Sequence, residues 1–247
     1  MNQWINGKTA LVTGAAKRIG KATALALASN HVNLVLHYRS SQDEVEKVAS
    51  ECRNMGVKTW IAKAELSDPD EAADLLSKAS ETAGPIHILI NNASIFTKSH
   101  LMDFTIQDLE ENIQINAISP LIIGRSLAKQ NCEGSIINFL DTRITEYDRE
   151  HVAYQLSKRM LFTLTRMMSL DFAPNIRVNA VAPGLILPPP GENIDYLQKL
   201  AHTNPLNRIG SLKGITDTVL FLLNSEFITG QVIFVDGGYH IKGSVYG

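Results

Sequence analysis

Short uninterrupted apolar runs alternate along this chain with longer segments of helical periodicity. Residues 9–13 (TALVT) read as a short buried strand that ends at a glycine turn, and 17–30, rich in Ala and Leu, as the helix after it. A second strand is expected over 32–39 (VNLVLHYR) and a charged amphipathic helix over 42–55, stopped by Gly56. Next come a strand over 58–66 and a helix over 69–83, opened by Asp68-Pro69 and closed by Gly84-Pro85. Residues 86–91 (IHILIN) lack polar alternation, the mark of a strand buried on both faces. Residues 105–130 predict one long helix with a kink at Pro120. Strands over 135–140, 176–182 and 231–235 and helices over 152–172 and 214–223 complete the pattern. About seven strands separated by helices predict a single α/β domain: a doubly wound parallel sheet with helices on both faces. Ligands of such sheets bind at the carboxyl ends of the strands. One segment breaks the rhythm: 184–205 carries Pro188-Pro189-Pro190-Gly191 and no clear strand, which predicts a substrate-covering loop over 185–205.

The length, 247 residues, suits one large domain, and there is no repeat or low-complexity tail. A net charge of −2 gives no basic footprint for nucleic acid and no polybasic membrane patch. Cys52 and Cys132 stand in no metal-ligand spacing and no C-x-x-C pair, so two reduced thiols and no metal site are expected. The first eight residues hold no apolar core of signal-peptide length, and no run is long enough to span a bilayer, so a cytoplasmic location is expected.

Candidate chemistry begins at Thr13-Gly14-Ala15-Ala16-Lys17-Arg18-Ile19-Gly20, between the first strand and first helix. Gly14 permits a tight turn and Gly20 close packing of helix on sheet. The helix N-terminus then offers free N–H groups and partial positive charge to a phosphate. Arg18 replaces the middle glycine usual in such turns; its guanidinium can lie over the phosphates and reach a substrate. Dinucleotide folds that bind NAD carry an acid after the second strand for the ribose 2′-OH. Here the run is His37-Tyr38-Arg39-Ser40-Ser41, and Arg39 with Ser40 suits a 2′-phosphate instead, pointing to NADP(H). Farther on, Tyr154 and Lys158 are four apart in a predicted helix and share a face. A free phenol titrates near ~10, and a neighbouring ammonium is expected to lower that value and make Tyr154 a usable acid.

Taken in order, Thr13–Gly20, Asn91-Asn92-Ala93, Asn116, Tyr154/Lys158, Pro183-Gly184 and Val235-Asp236-Gly237-Gly238 resemble the short-chain dehydrogenase/reductase family over essentially the whole chain. The resemblance implies a Rossmann-type fold, NADP(H)-linked carbonyl or imine chemistry and a homotetramer. It implies that Asn92, Ala93 and Ser94 line the cofactor, with Ile19, Tyr38, Glu65 and Leu66 among its contacts. Asn116 would hold a water in a proton relay with Lys158, and Pro183 and Gly184 would sit beside the nicotinamide.

The chain departs from the family where a serine usually stands a dozen residues before the tyrosine. Asp141 takes that spacing, and the adjacent Thr142 is the alternative, as a replacement hydroxyl. A carboxylate there would oppose charge developing on a carbonyl oxygen; it suits a substrate with N–H donors or a protonation step. Arg18, Asp141 and Ser94-Ile95-Phe96 together resemble the pteridine reductase branch. That implies a pterin stacked between nicotinamide and Phe96, contacted by Ser94 and Arg18, with Asp141, Tyr154 and Lys158 carrying proton transfer to a C=N bond. Two rivals remain: a 3-oxoacyl thioester or other carbonyl reductase of the same family, against which Asp141 and Arg18 speak, and a non-catalytic NADP(H)-sensing regulator, against which the intact Tyr154/Lys158 pair speaks.

Overall fold

A computed structural model describes residues 4–189 and 191–242. Of the proline run, Pro190 lies outside the described residues, as do residues 1–3 of the N-terminal segment. The chain runs β1 (Thr9–Val12), α1 (Arg18–Ala28), β2 (Asn33–Tyr38), α2 (Gln42–Asn54), β3 (Thr59–Lys63), α3 (Pro69–Ala83) and β4 (Ile88–Asn91). It continues through α4 (Ile106–Ile113), a π-helical segment (Gln114–Ile118), α5 (Ser119–Ala128), β5 (Gly134–Phe139), a 3₁₀ turn (Thr142–Thr145), α6 (Val152–Asp171) and β6 (Ile176–Pro183). It closes with α7 (Ile194–Leu200), a second 3₁₀ turn (Ala201–Thr203), α8 (Leu212–Asn224), β7 (Val232–Val235) and α9 (Tyr239–Lys242).

The strands form one sheet in the order β3-β2-β1-β4-β5-β6-β7, with every pairing parallel. Each strand sends alternate side chains to opposite faces, which is why the runs are apolar throughout. Ala10 and Val12 of β1 join Leu27, Leu34, Leu36, Val219 and Leu222 on the face covered by α1, α2 and α8. Leu11, between them, joins Leu75, Leu76, Leu89, Ile123 and Met168 on the face covered by α3, α5 and α6. The order reverses at β1/β4: the chain winds outward to β3, returns beside β1 and winds the other way. A crevice opens at such a switch point, beyond the carboxyl ends of the strands.

Two expectations need correction. The single helix over 105–130 is interrupted at 114–118 by a π turn, and the break precedes Pro120, which sits in the first turn of α5 where its missing N–H costs nothing. The segment 185–205 is not a plain loop. Asn193 caps α7, its side chain accepting from Asp195 N and Tyr196 N, and the helix spends Leu197 on the core.

Candidate functional site

At the switch point lies a cavity of about 720 Å³. Its walls come from the glycine turn (Gly14, Arg18, Ile19, Gly20), the exit of β4 (Asn92, Ala93, Ser94, Phe96) and the exit of β5 (Asp141, Arg143). Tyr154 and Lys158 of α6, Pro183 and Gly184 at the end of β6, and Leu187, Tyr196 and Leu197 of the 185–205 segment complete the lining. Most site residues expected from the sequence are thus brought together. Tyr38, Arg39, Ser40, Glu65, Leu66 and Asn116 are not among the lining residues.

The glycine turn fits a dinucleotide phosphate. Gly14 adopts φ +64°, and a Cβ on Gly20 would lie 2.1 Å from the Gly14 carbonyl oxygen, so no side chain fits there. Lys17 gives α1 no side-chain cap, and the first-turn residues Arg18, Ile19 and Gly20 line the cavity. Asn92 holds the turn: its amide Nδ2 donates to the carbonyls of Thr13 (2.9 Å) and Gly14 (3.1 Å). Arg18 sits at φ +54°, the left-handed region that favours glycine. Its guanidinium donates to the Pro188 carbonyl at 2.8 Å, so in this structure it reaches across to the covering segment.

The residues expected beyond β2 and β3 lie apart from this cavity. Arg39 pairs with Glu65 at 3.8 Å, and both side chains are exposed. Tyr38 and Leu66, expected as cofactor contacts, bury their side chains in the two core faces.

The acid–base group is compact. The Tyr154 hydroxyl donates to Asp141 Oδ2 at 3.0 Å, and Asp141 Oδ1 accepts from Arg143 N at 2.8 Å. Lys158 is buried and donates to the Phe139 carbonyl at 2.8 Å. Here the expectation that Lys158 lowers the phenol is overturned. Burial, then the charge of Asp141 and the hydrogen bond to it, push Tyr154 well above its ordinary value, with Arg143 opposing. Lys158 is itself brought down to about 8 by burial, partly offset by Asp141. Tyr154 therefore holds its proton at neutral pH and stands as a donor.

Asn116 lies in the π segment, fully buried, and its amide is engaged by protein groups. Oδ1 accepts from Ser94 Oγ and Ile95 N, both at 3.0 Å; Nδ2 donates to the Ile95 carbonyl (3.1 Å) and Ser157 Oγ (2.9 Å). The side chain thereby pins the 94–96 loop to α6. That loop carries Phe96, 41% exposed, whose ring stacks on His151 at 4.0 Å and meets Tyr154 edge-on at 4.7 Å. His151 is steadied through Nδ1 by Asp148, which also pairs with Arg143.

Sequence reasoning missed Arg143, Asp148, His151, Tyr196 and Tyr239. Nothing in their spacing announces them, because they meet only once the 139–151 loop, α7 and the C-terminal turn have folded. Asp236 shows how: it accepts from Thr142 Oγ1, Gly238 N and His240 N, tying the closing Val-Asp-Gly-Gly turn to the residue after Asp141. This assigns Thr142 a structural partner and leaves Asp141 facing Tyr154. Among the described residues no group of three or more His, Cys, Asp or Glu is placed to hold a metal, and no helix is long and apolar enough to cross a membrane.

Comparison with known proteins agrees with this architecture. A family model described as enoyl-(acyl carrier protein) reductase matches residues 14–240. The 2-dehydro-3-deoxy-D-gluconate 5-dehydrogenase of Formosa agariphila is 31% identical over 246 residues, covering 95% of this chain and 93% of its own. The 3-oxoacyl-[acyl-carrier-protein] reductase FabG of Staphylococcus epidermidis is 30% identical over 242 residues, covering 95% and 99%. Among solved structures, FolM alternative dihydrofolate reductase 1 from Brucella canis, complexed with NADP, superposes with a TM-score of 0.89 at 32% identity over 96% of each chain. The chain belongs to the short-chain dehydrogenase/reductase family.

Proposed function

We propose that this protein is an NADPH-dependent reductase that delivers hydride to a ring C=N bond of a pterin-type substrate, a dihydropterin or dihydrofolate, with Tyr154 as the proton donor. The observation that carries this reading is the Tyr154–Asp141 hydrogen bond of 3.0 Å beside the Phe96 ring in one cavity. The NADP-bound dihydrofolate reductase relative, of the same fold, supports it.

NADPH along the carboxyl ends of the strands supplies the hydride. The first turn of α1 holds its pyrophosphate, and Pro183 and Gly184 flank the nicotinamide end. Arg39 and Ser40 receive the 2′-phosphate. The exposed Arg39–Glu65 pair is a weak competitor, since surface ion pairs contribute only ~0–1 kcal/mol. Phe96 presents an aromatic face for a flat heterocycle, and Ser94 and Arg18 stand at its edge. Tyr154 Oη gives its proton to the ring nitrogen. Lys158, as the ammonium, stabilises the phenolate left behind, and Asp141 Oδ2 orients the phenol and accepts from N–H donors of the substrate. Asn116 positions the loop that carries Ser94 and Phe96.

The same reading carries a cytoplasmic homotetramer. Leu156, Met167 and Leu170 leave one face of α6 apolar and exposed, a surface suited to assembly.

The test is NADPH oxidation by the purified protein, followed in the near ultraviolet, with dihydrobiopterin, dihydrofolate and an acetoacetyl thioester in parallel. Turnover of a pterin without the thioester is expected; turnover of the thioester alone overturns the pterin assignment in favour of a carbonyl reductase. Tyr154→Phe is expected to cut turnover by about 10³-fold while NADPH binding persists. Normal turnover in that variant removes Tyr154 from the chemistry.

A further inference from the structure

One residue takes two consecutive main-chain donors of the glycine turn. Gly14 N donates to Nδ1 of His37 at 3.1 Å, and Ala15 N donates to the His37 carbonyl at 2.9 Å. The other ring nitrogen, Nε2, lies 3.1 Å from the Ala64 carbonyl. Because Nδ1 accepts, the ring proton must sit on Nε2, where it is donated to Ala64. The side chain is buried, which holds the imidazole neutral. His37 therefore links the turn after β1 to the exit of β3. Asn92 grips the same turn from the opposite side through its carbonyls. The donors are held by one residue and the acceptors by another.

This arrangement has a consequence for phosphate binding. The N–H groups of Gly14 and Ala15 are turned into the protein and committed. Donors for a phosphate must then come from the first turn of α1, whose N–H groups have no intrahelical partner and no side-chain cap. Where that turn points depends on how the preceding residues are anchored.

We propose that His37 is a positioning residue for the dinucleotide: it fixes the glycine turn so that the first turn of α1 faces the pyrophosphate. The inference rests on the dinucleotide reading above. It touches no reacting atom, so its loss falls on cofactor affinity more than on the chemical step.

The experiment combines spectra of the native protein with NADPH titrations of variants. In the ¹⁵N-labelled protein, His37 is expected as the Nε2–H tautomer both before and after NADPH is added; the Nδ1–H tautomer overturns the proposal. His37→Leu removes both polar partners, and its NADPH Kd, read by fluorescence, is expected to rise about tenfold, the effect of leaving a buried donor unpaired. Its KM for NADPH should rise with the Kd, by a larger factor than kcat falls. His37→Asn keeps an acceptor at the δ position and is expected to recover most of the affinity. A folded His37→Leu with parental Kd overturns the proposal, as does an equal loss in His37→Asn, which would make ring shape the operative feature. If His37→Leu does not fold, the tautomer and the His37→Asn Kd decide. A parent protein that binds no NADPH rejects the dinucleotide reading itself, a result separable from all of these.

Discussion

At Tyr154 two groups compete for one proton. Asp141 and burial hold it on the phenol, and Lys158 can stabilise the phenolate only while it is an ammonium. Lys158 has been brought down to about 8, so its charge is present below that pH and lost above it. The expected outcome is a kcat that declines as pH rises through about 8. Asp141 raises the lysine, so Asp141→Asn should move that decline to lower pH; a profile flat through this region would remove Lys158 from the step. The Tyr–Lys pair was legible in the sequence because both residues lie on one helix, where spacing alone fixes the shared face. Asp141 was legible by its distance from Tyr154. The direction of the tyrosine shift was not, because it depends first on how deeply the folded chain buries the phenol and then on the carboxylate its hydroxyl meets at 3.0 Å. His151 behind Phe96 was hidden for the same reason: stacking is a property of two folded loops.

Among elements, the π turn at 114–118 is the departure with consequences. Hydrophobic periodicity over 105–130 reads as one helix, since a single widened turn barely disturbs the pattern, and the periodicity cannot show where a backbone carbonyl loses its partner. Asn116 sits in that turn and satisfies Ile95 N, the Ile95 carbonyl, Ser94 and Ser157. Asn116→Ala would take the acceptor from Ile95 N and cut the link to Ser157, whose hydroxyl keeps the Tyr154 carbonyl, and a loss of roughly 1 kcal/mol in denaturant unfolding is expected. A loss within error would mean that water replaces the amide without cost. His37 makes a second prediction between elements. Its folded pKa lies below the ordinary histidine value of 6.5, chiefly through burial, with Glu65 its charged neighbour. The unfolded chain then takes up the proton first. Its contribution to stability is present above that value and lost as pH falls through the folded one. Urea midpoints should therefore drop on acidification, and His37→Asn should flatten that part of the dependence.

Across the whole molecule, a parallel sheet of about seven strands with helices on both faces followed from counting apolar runs, because parallel strands buried on both faces read as uninterrupted apolar segments, while the strand order and the crevice at β1/β4 came only with the fold. A cover over 185–205 was expected too, but its helix was not. Prolines in 188–190 break any periodic signal, and seven residues of α7 are too few to announce a helix over that background. What ties cover to base is Arg18, whose guanidinium donates to the Pro188 carbonyl while its backbone sits at φ +54°. A left-handed residue other than glycine costs on the order of 1–2 kcal/mol, so the position accepts a cost that a glycine would avoid. Glycine would also regain about 0.5–1 kcal/mol of unfolded-state freedom, nearly cancelling that relief. Arg18→Gly should consequently leave the unfolding midpoint close to the parent's. The covering segment, however, loses its latch to the glycine turn, and with it the closed wall formed by Leu187, Tyr196 and Leu197. The measurement is steady-state kinetics beside thermal unfolding: KM for the pterin should rise about tenfold, the effect of one charge-assisted hydrogen bond, at nearly constant stability. A parental KM in the glycine variant would mean that the cover is held by its apolar contacts alone, and that the arginine is retained for the cofactor.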